Sequence, residues 1–356
     1  MSLVTVMRKY ASIFLVFVVF IVALYALSVF YDRVPVYVAG DTTKSLNVAQ
    51  YWHEKISQKG GGSAYGAFKI FYKEYPVEDK HALAHIFGGE LYEISGTEAF
   101  RICDTDFFGG CQHEFFGRAI QDKGLSVTGD FFSQCEGDVD CTHGIGHGLV
   151  SFFGYDEDDL EPALSVCKDF SDLEPLGCVS GVFMEYNMRT VLFASPRLAT
   201  ENPYQPCFTV SEKYRLGCFL TLPQWWNIEL LKEEPLTQEQ RISRMISLCS
   251  ESVVAPYREM CMKGVNIQIA ATFEFDPDRI GVACRLVGDT KEQYECIWQS
   301  IKLIVYDDAN SLSSERLCSY VEVDRGDECR VRLTDFKSEY KMHDAKRSGE
   351  LMQNNL

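Results

Sequence analysis

The longest apolar stretch of the chain lies near its start. Ala11–Phe30 contains twenty residues without a charge, and a helix of that length, at about 1.5 Å per residue, crosses a hydrocarbon core of about 30 Å. Arg8 and Lys9 precede it, and positive charge stays on the cytoplasmic side. The pattern predicts a cytoplasmic N-terminus at residues 1–10, a single-pass transmembrane signal anchor at 11–30, and an extracytoplasmic remainder. The alternative is a cleaved signal peptide, whose apolar core is shorter.

Fourteen cysteines recur regularly along the outer segment. Taken two at a time they are 6 to 12 residues apart, and the first members recur after 32 to 42 residues. No CxxC occurs, so zinc ribbons and thioredoxin-type motifs have no support. An even count outside a membrane indicates structural disulfides between sequence neighbours, with a long-range connectivity such as Cys103–Cys249 as the alternative. The predicted pairs are Cys103–Cys111, Cys135–Cys141, Cys167–Cys178, Cys207–Cys218, Cys249–Cys261, Cys284–Cys296 and Cys318–Cys329.

Each cysteine pair lies between two runs of helical character. The first cysteine closes runs such as "LEPALSVC", and the second opens runs such as "CVSGVFMEYNMRTVLF". Four residues after the second cysteine the side chain is apolar in six of the seven pairs. With this spacing the apolar side chains form one stripe along the helix, which can pack against the neighbouring helix. Each unit is therefore predicted to be two antiparallel helices joined by a local disulfide, in an all-α fold.

Two helices per period of this length are typical of an α-solenoid. The sequence predicts about seven such hairpins in a domain at residues 45–335, after a polar stalk at 31–44 and before a C-terminal tail at 336–356. The chain in this respect resembles the Sel1-like and tetratricopeptide helix-hairpin repeats, especially their disulfide-stapled secreted members. The resemblance covers residues 75–335 as architecture only. The chain lacks the Gly/Ala/Tyr consensus of those families, and the resemblance implies no functional residues.

Histidines are concentrated in one part of this domain. Five of the seven lie between residues 81 and 147, within predicted hairpins at 77–190. The run "KHALAHIFG" aligns with "THGIGHGLV", so two HxxxH pairs share a register, and His113 and His143 both follow a second cysteine by two residues. Equivalent positions of a solenoid stack on one wall, which predicts that these imidazoles converge on a groove. The predicted metal ligands are His81, His85, His113, His143 and His147.

The chemistry predicted for this groove is metal binding. Residues four apart on a helix share a face, so each HxxxH can offer two nitrogens to one ion. Imidazole with a nearby carboxylate suits a divalent transition metal, with zinc favoured. Glu114 and Glu185 are the candidate catalytic residues, as general base for a water at an open metal position. Two alternatives stay open: histidines that only hydrogen-bond a neighbouring loop, with Gly146 and Gly181 serving close helix packing, and acid–base chemistry without a metal.

Charge and motifs narrow the function further. The net charge is −17, from 34 basic and 51 acidic side chains, which argues against a nucleic-acid partner because that requires a basic surface. The sequence contains no GxSxG, Walker or HExxH motif, so enzymatic activity is left undecided. The favoured prediction is a metal-binding ectodomain held at the membrane by its N-terminal helix.

The competing hypothesis belongs to a different class of protein. It is a tethered scaffold that binds an envelope protein, a peptide or a glycan, with histidines that only stabilise the fold. The segment "PQWW" at residues 223–226 is its candidate stacking platform, although adjacent aromatic residues also fit a protein core.

Overall fold

The computed structural model describes residues 34–353, apart from residues 36, 39–40, 136–137, 170–174, 192–194, 233, 252–253, 308–310 and 323–324. The chain divides into two compact units, Met1–Tyr51 and Trp52–Leu356. The described residues form fifteen α-helices and no strand, so the predicted all-α class is confirmed.

Most of the helices are the paired arms that the cysteine spacing predicts. In chain order they are α1 Thr42–Lys59, α2 Gly61–Tyr72, α3 Val77–Ser95, α4 Gly110–Lys123, α5 Thr128–Cys135, α6 Val139–Phe153, α7 Leu160–Asp169, α8 Cys178–Met188, α9 Arg215–Trp225, α10 Gln238–Glu251, α11 Tyr257–Thr272, α12 Pro277–Ala283, α13 Thr290–Asp307, α14 Ser313–Leu317 and α15 Gly326–Gln353.

All seven predicted disulfides are present, and no cysteine is free. Each joins a first arm to the following helix; Cys167 of α7, for example, pairs with Cys178, the first residue of α8. The predicted local connectivity is confirmed. Closing a loop of about ten residues stabilises the fold by about 2–3 kcal/mol in the chain-entropy account.

Two of the seven units lack an α-helical first arm. In the first unit, Thr97–Ile102 forms a 3₁₀ turn, and in the fourth unit Cys207 lies in a run of turns. Pro203 and Pro206 belong to that run, and proline lacks the N–H that a helix interior requires. The predicted helix hairpin is therefore complete in five units, while the disulfide is kept in all seven.

The helices that follow each disulfide form a row, here called the second helices. They pack in chain order: α3 against α4, α4 against α6, α6 against α8, α8 against α9, α9 against α11, and α11 against α13. The α6 and α8 backbones approach at two glycines, since a Cβ at Gly181 would lie 2.0 Å from the carbonyl oxygen of His143 and one at Gly146 would lie 2.2 Å from that of Cys178. The close-packing role of these glycines is confirmed.

Within the unit Trp52–Leu356 the row of second helices returns to its own start. Lys80 of α3 donates to Asp307 at the end of α13, with 2.5 Å between Nζ and Oδ1. The rings of Phe108 and Phe275 stack with centroids 5.9 Å apart, and the segment Asp106–Gly109 contacts α13. The sequence predicts a solenoid of about seven hairpins, and the structure adds these contacts between its first and later units.

The membrane prediction concerns residues 11–30, which lie outside the described residues. No helix in the part of the chain that the structure describes is long and apolar enough to cross a membrane. The last helix, α15, continues to Gln353, so residues 336–353 of the predicted tail are helical.

Candidate metal centre

The five predicted histidines stand at corresponding places on three neighbouring helices. His81, His113 and His143 lie near the N-terminal ends of α3, α4 and α6, and the other two follow one turn later. Because the three helices pack side by side, the His113 ring lies 5.4 Å from that of His81 and 5.4 Å from that of His143, measured between centroids. The structure thus brings the predicted ligands together, as the repeat register implies.

Local sequence fixes where α6 begins and therefore where its two histidines stand. The side chain of Asp138 accepts hydrogen bonds from the backbone nitrogens of Asp140, at 3.1 Å, and Cys141, at 3.2 Å. This is an N-cap, which satisfies donors that the first turn leaves free. Cys141 is also bonded to Cys135 at the end of α5, so cap and disulfide hold the same turn.

The two HxxxH pairs have nearly the same geometry. The Nε2 atoms of His81 and His85 are 3.2 Å apart, and those of His143 and His147 are 3.1 Å apart. Two nitrogens bound to one tetrahedral ion at about 2.1 Å are separated by about 3.4 Å. The separations within both pairs are therefore close to those of ligands on a common ion.

The hydrogen bonds around His143 and His147 constrain which ring nitrogen carries the proton. His147 Nδ1 lies 2.8 Å from the carboxylate oxygen Oε2 of Glu185, to which it donates. His143 Nδ1 lies 2.8 Å from the hydroxyl of Ser180, which also lies 2.9 Å from the carbonyl oxygen of Gly177. With the Ser180 proton on that carbonyl, His143 also donates through Nδ1 and the two Nε2 lone pairs of the neutral rings face each other; with the Ser180 proton on His143 Nδ1, His143 donates through Nε2 to His147.

In the pair on α3 only one tautomer is fixed in this way. His81 Nδ1 lies 2.8 Å from the carbonyl oxygen of Phe107 and donates to it, which leaves a lone pair on its Nε2. His85 Nδ1 lies 3.6 Å from Glu114 Oε2. A proton on His85 Nε2 can be donated to His81, so the α3 pair can be satisfied without a cation, as the α6 pair can when Ser180 donates to His143.

The carbonyl that orients His81 belongs to an unusual stretch of backbone. Phe107 and Phe108 both have φ 55°, in the left-handed region that non-glycine residues rarely occupy. Strain of this kind persists where surrounding structure imposes it, and it is common at functional sites. Here the conformation accompanies a carbonyl aimed at an imidazole N–H.

Burial favours the neutral form of four of these imidazoles, those of His81, His85, His113 and His143. His85, His113 and His147 are almost fully buried, at 1%, 3% and 0% exposure, while His81 and His143 are half-buried. Burial, reinforced by neighbouring rings, lowers the pKa of His81, His85 and His143 to about 3 and that of His113 well below its usual value. Neutral imidazole is the form that binds metal.

Glu185 lies behind His147 and is bonded through both carboxylate oxygens. It is fully buried and accepts from Tyr155 at 2.6 Å, from the hydroxyl of Thr190 at 2.6 Å and from the backbone nitrogen of Val191 at 3.1 Å, in addition to His147. Burial would raise the pKa of this carboxyl, but the hydrogen bonds from His147, Thr190 and Tyr155 lower it overall. Glu185 is therefore ionised.

Glu114, the other predicted carboxylate, lies behind His85 and has a different environment. It is 1% exposed, and Arg118 Nε donates to its Oε1 at 2.8 Å. Burial raises the pKa of Glu114 to about 8, although Arg118 opposes the shift. Each of the two carboxylates thus lies beside Nδ1 of the second histidine of a pair, and their pKa values are shifted in opposite directions.

The predicted stacking platform is part of the core. Trp225 and Trp226 are fully buried, and their indole nitrogens donate to the backbone carbonyls of Arg197 and Pro203, both at 2.6 Å. They offer no face to a peptide or a glycan. This confirms the core interpretation of "PQWW".

Sequence reasoning missed the residues that orient the imidazoles. Ser180 follows Cys178 by two residues, as His143 follows Cys141. This shared position was the one sequence signal for a residue that orients an imidazole. Tyr155, Thr190 and the carbonyl of Phe107 lie in turns outside the repeat register. A second group, His53 with Glu90 and Glu93, also lies within metal-ligand reach but is largely exposed.

Comparison of the chain with protein families, with curated proteins and with solved structures finds no match.

Proposed function

We propose that the five histidines form a binding site for a divalent transition metal. The carrying observation is the geometry of the two HxxxH pairs, whose Nε2 atoms lie 3.2 Å and 3.1 Å apart, close to the separation of two ligands on one ion, with His113 within ligand reach of both pairs. When both rings of the α6 pair donate through Nδ1, their Nε2 lone pairs face each other and repel unless a cation lies between them.

The surroundings of the rings support the same proposal. A metal-bound histidine characteristically donates its other N–H to a carboxylate or a backbone carbonyl, and Glu185 and the carbonyl of Phe107 stand in those positions. All cysteines are in disulfides, so the donors are nitrogens. Imidazole sites suit zinc, copper, iron and nickel, and zinc, which binds three histidines and keeps an open position, is favoured.

The carboxylates act in this proposal on the imidazoles. Glu185 has both oxygens occupied by five donors, counting the backbone and hydroxyl of Thr190, and it holds the tautomer of His147. Glu114 lies beside His85 in the corresponding place. The general-base role of Glu114 and Glu185 stays a prediction, and so does catalysis at an open metal position.

The location of the site is a further part of the proposal. Seven disulfides fit an oxidising, extracytoplasmic compartment. Residues 11–30 would hold the domain at the membrane surface, and a peptide, glycan or envelope protein stays a predicted partner. Charge argues against nucleic acid, given the excess of acidic side chains.

Metal analysis of the purified full-length protein tests the proposal. We expect stoichiometric transition metal that survives dialysis, is removed by a strong chelator and is restored by zinc. Protein that carries no metal as isolated and takes up none from a zinc buffer would contradict the proposal and leave the histidines with a purely structural role.

Glu185→Gln is expected to weaken metal binding by about 10- to 100-fold, as loss of a hydrogen-bond partner behind a metal-binding histidine does elsewhere. The amide removes the negative charge that fixes the His147 tautomer. Competition with a coloured chelator measures the affinity, and unfolding of the metal-free protein shows whether the fold is affected. The matched control is Glu229→Gln, which changes a buried carboxylate paired with Lys232. Equal affinities for the two variants would refute the positioning role.

A further inference from the structure

We infer that the histidine cluster is a two-metal site in which His113 is a ligand shared by both ions. The inference rests on the proposed function and deepens it, because it states how many ions bind and how the five rings divide between them.

The spacing of the ring nitrogens divides the histidines into two groups. His81, His85 and His113 can bring one nitrogen each within 4.8 Å of one another, and so can His113, His143 and His147. Nitrogens bound to one ion at about 2.1 Å are at most about 4.2 Å apart. All five rings do not meet in a single group, whereas each group of three is nearly compact enough for one ion.

His113 is placed to serve both groups. It stands on α4, which packs between α3 and α6. Its ring centroid is 5.4 and 5.3 Å from those of His81 and His85, and 5.4 and 4.1 Å from those of His143 and His147. The His113 and His147 rings are stacked, with 10° between their planes, so one of them must turn for both to direct a nitrogen at the same ion. It therefore contacts all four other rings while remaining 3% exposed.

The hydrogen bonding of His113 differs from that of three other histidines of the cluster. Nδ1 of His81, His143 and His147 lies within hydrogen-bond distance of an oxygen, whereas Nδ1 of His113 is buried with no hydrogen-bond partner among the described residues. An unsatisfied buried polar group costs about 1–3 kcal/mol. A histidine that binds one ion through Nε2 needs an acceptor for its other N–H, but one that binds an ion through each nitrogen needs none.

The other ring nitrogen of His113 also has room beside it. Gly109 has a left-handed backbone, with φ 70°, and a Cβ there would lie 3.1 Å from His113 Nε2. A side chain at this position would crowd Nε2, so the glycine keeps side-chain atoms away from this ring nitrogen. Binding through both releases the ring proton to solvent and makes the bridge an imidazolate.

Each ion then has three nitrogen ligands. One is held by His81, His85 and His113, the other by His113, His143 and His147. Three protein ligands leave a fourth position for water on a tetrahedral ion. The half-buried rings, His81 and His143, belong to different groups, so each ion has one ligand that reaches solvent.

Titration of the metal-free full-length protein with copper(II), followed by electron paramagnetic resonance, tests the inference. Copper(II) ions joined by an imidazolate couple antiferromagnetically, so we expect binding of two ions per chain and an integrated signal that falls as the second equivalent is added. His85→Ala removes a ligand from one group alone and should bind one ion tightly, with a signal that does not fall.

The outcomes separate the inference from the proposed function. Binding of a single ion to the unmodified protein would overturn the two-metal site and leave the proposed metal function standing. Two ions with additive signals would overturn the bridging role of His113. Protein that binds no copper and no zinc would overturn both.

Discussion

Metal should stabilise the native protein, and a variant that combines His85→Ala with His147→Ala should lose that stabilisation. A ligand that binds only the folded state adds about 4 kcal/mol at a thousandfold excess over its Kd. Each substitution removes one Nε2 from one HxxxH pair, at 3.2 Å and 3.1 Å from its partner. Chemical unfolding with zinc and with a chelator measures the difference for each protein.

The comparison is made within each protein because both side chains are buried and their removal leaves cavities that lower stability in any condition. The gain on adding zinc isolates metal binding from that loss. Asn266→Ala is the control, since it removes a buried polar side chain of α11, outside the cluster, and should keep the full gain. A double variant that zinc stabilises as much as it does the unmodified protein would show that these rings bind no metal.

Gly181→Ala should lower the free energy of unfolding by about 3 kcal/mol, in the upper range for overpacked positions. The new Cβ would lie 2.0 Å from the carbonyl oxygen of His143. Both are fixed to helix backbones, so no rotamer change relieves the contact and α8 must move away from α6. That movement pulls Ser180 from His143, and metal affinity should fall together with stability.

Gly66→Ala is the matched control for this substitution. Gly66 lies inside α2, and a Cβ there meets no atom within 4 Å. Helix propensity alone favours alanine over glycine by about 0.5–1 kcal/mol, so this variant should be slightly more stable. If Gly181→Ala were also stabilised, the close approach of α6 and α8 would not constrain the site.

The repeat register of the sequence predicted the disulfide pairing and the clustering of the histidines. Cysteine spacing gave the disulfide pairing because each bridge is local, and the position of His113 and His143 relative to a second cysteine placed them on neighbouring helices. A period in sequence becomes adjacency in space when every unit packs only on the next. This is why rings 62 residues apart, His81 and His143, could be assigned to one cluster.

The repeat pattern does not predict contacts and backbone conformations that occur only once in the chain. The closure of the row depends on Lys80 with Asp307, which are 227 residues apart, and no periodic signal marks such a contact. The orienting groups behind the rings include a carbonyl set by the left-handed backbone of Phe107 and a hydroxyl from the turn at Thr190. Backbone conformation in turns follows from tertiary packing, which one sequence does not display.

The division of the five histidines into two groups could be recognised only from the three-dimensional structure. The register predicts that the rings share a wall, but not whether one ion or two can be reached. That distinction depends on nitrogen separations near 4 Å, far finer than the helix spacing that the sequence implies. The carboxylates also could not be distinguished from the sequence. Glu114 and Glu185 each lie beside the second histidine of a pair, and yet their pKa values are shifted in opposite directions.

X-ray absorption at the metal edge of the purified full-length protein shows most directly whether these imidazoles are metal ligands. We expect a first shell of nitrogen at about 2.0–2.1 Å, with the outer-shell scattering that imidazole rings produce. A first shell containing sulfur at about 2.3 Å, or one of oxygen without imidazole scattering, would mean that the metal is bound elsewhere and that the histidines are not its ligands.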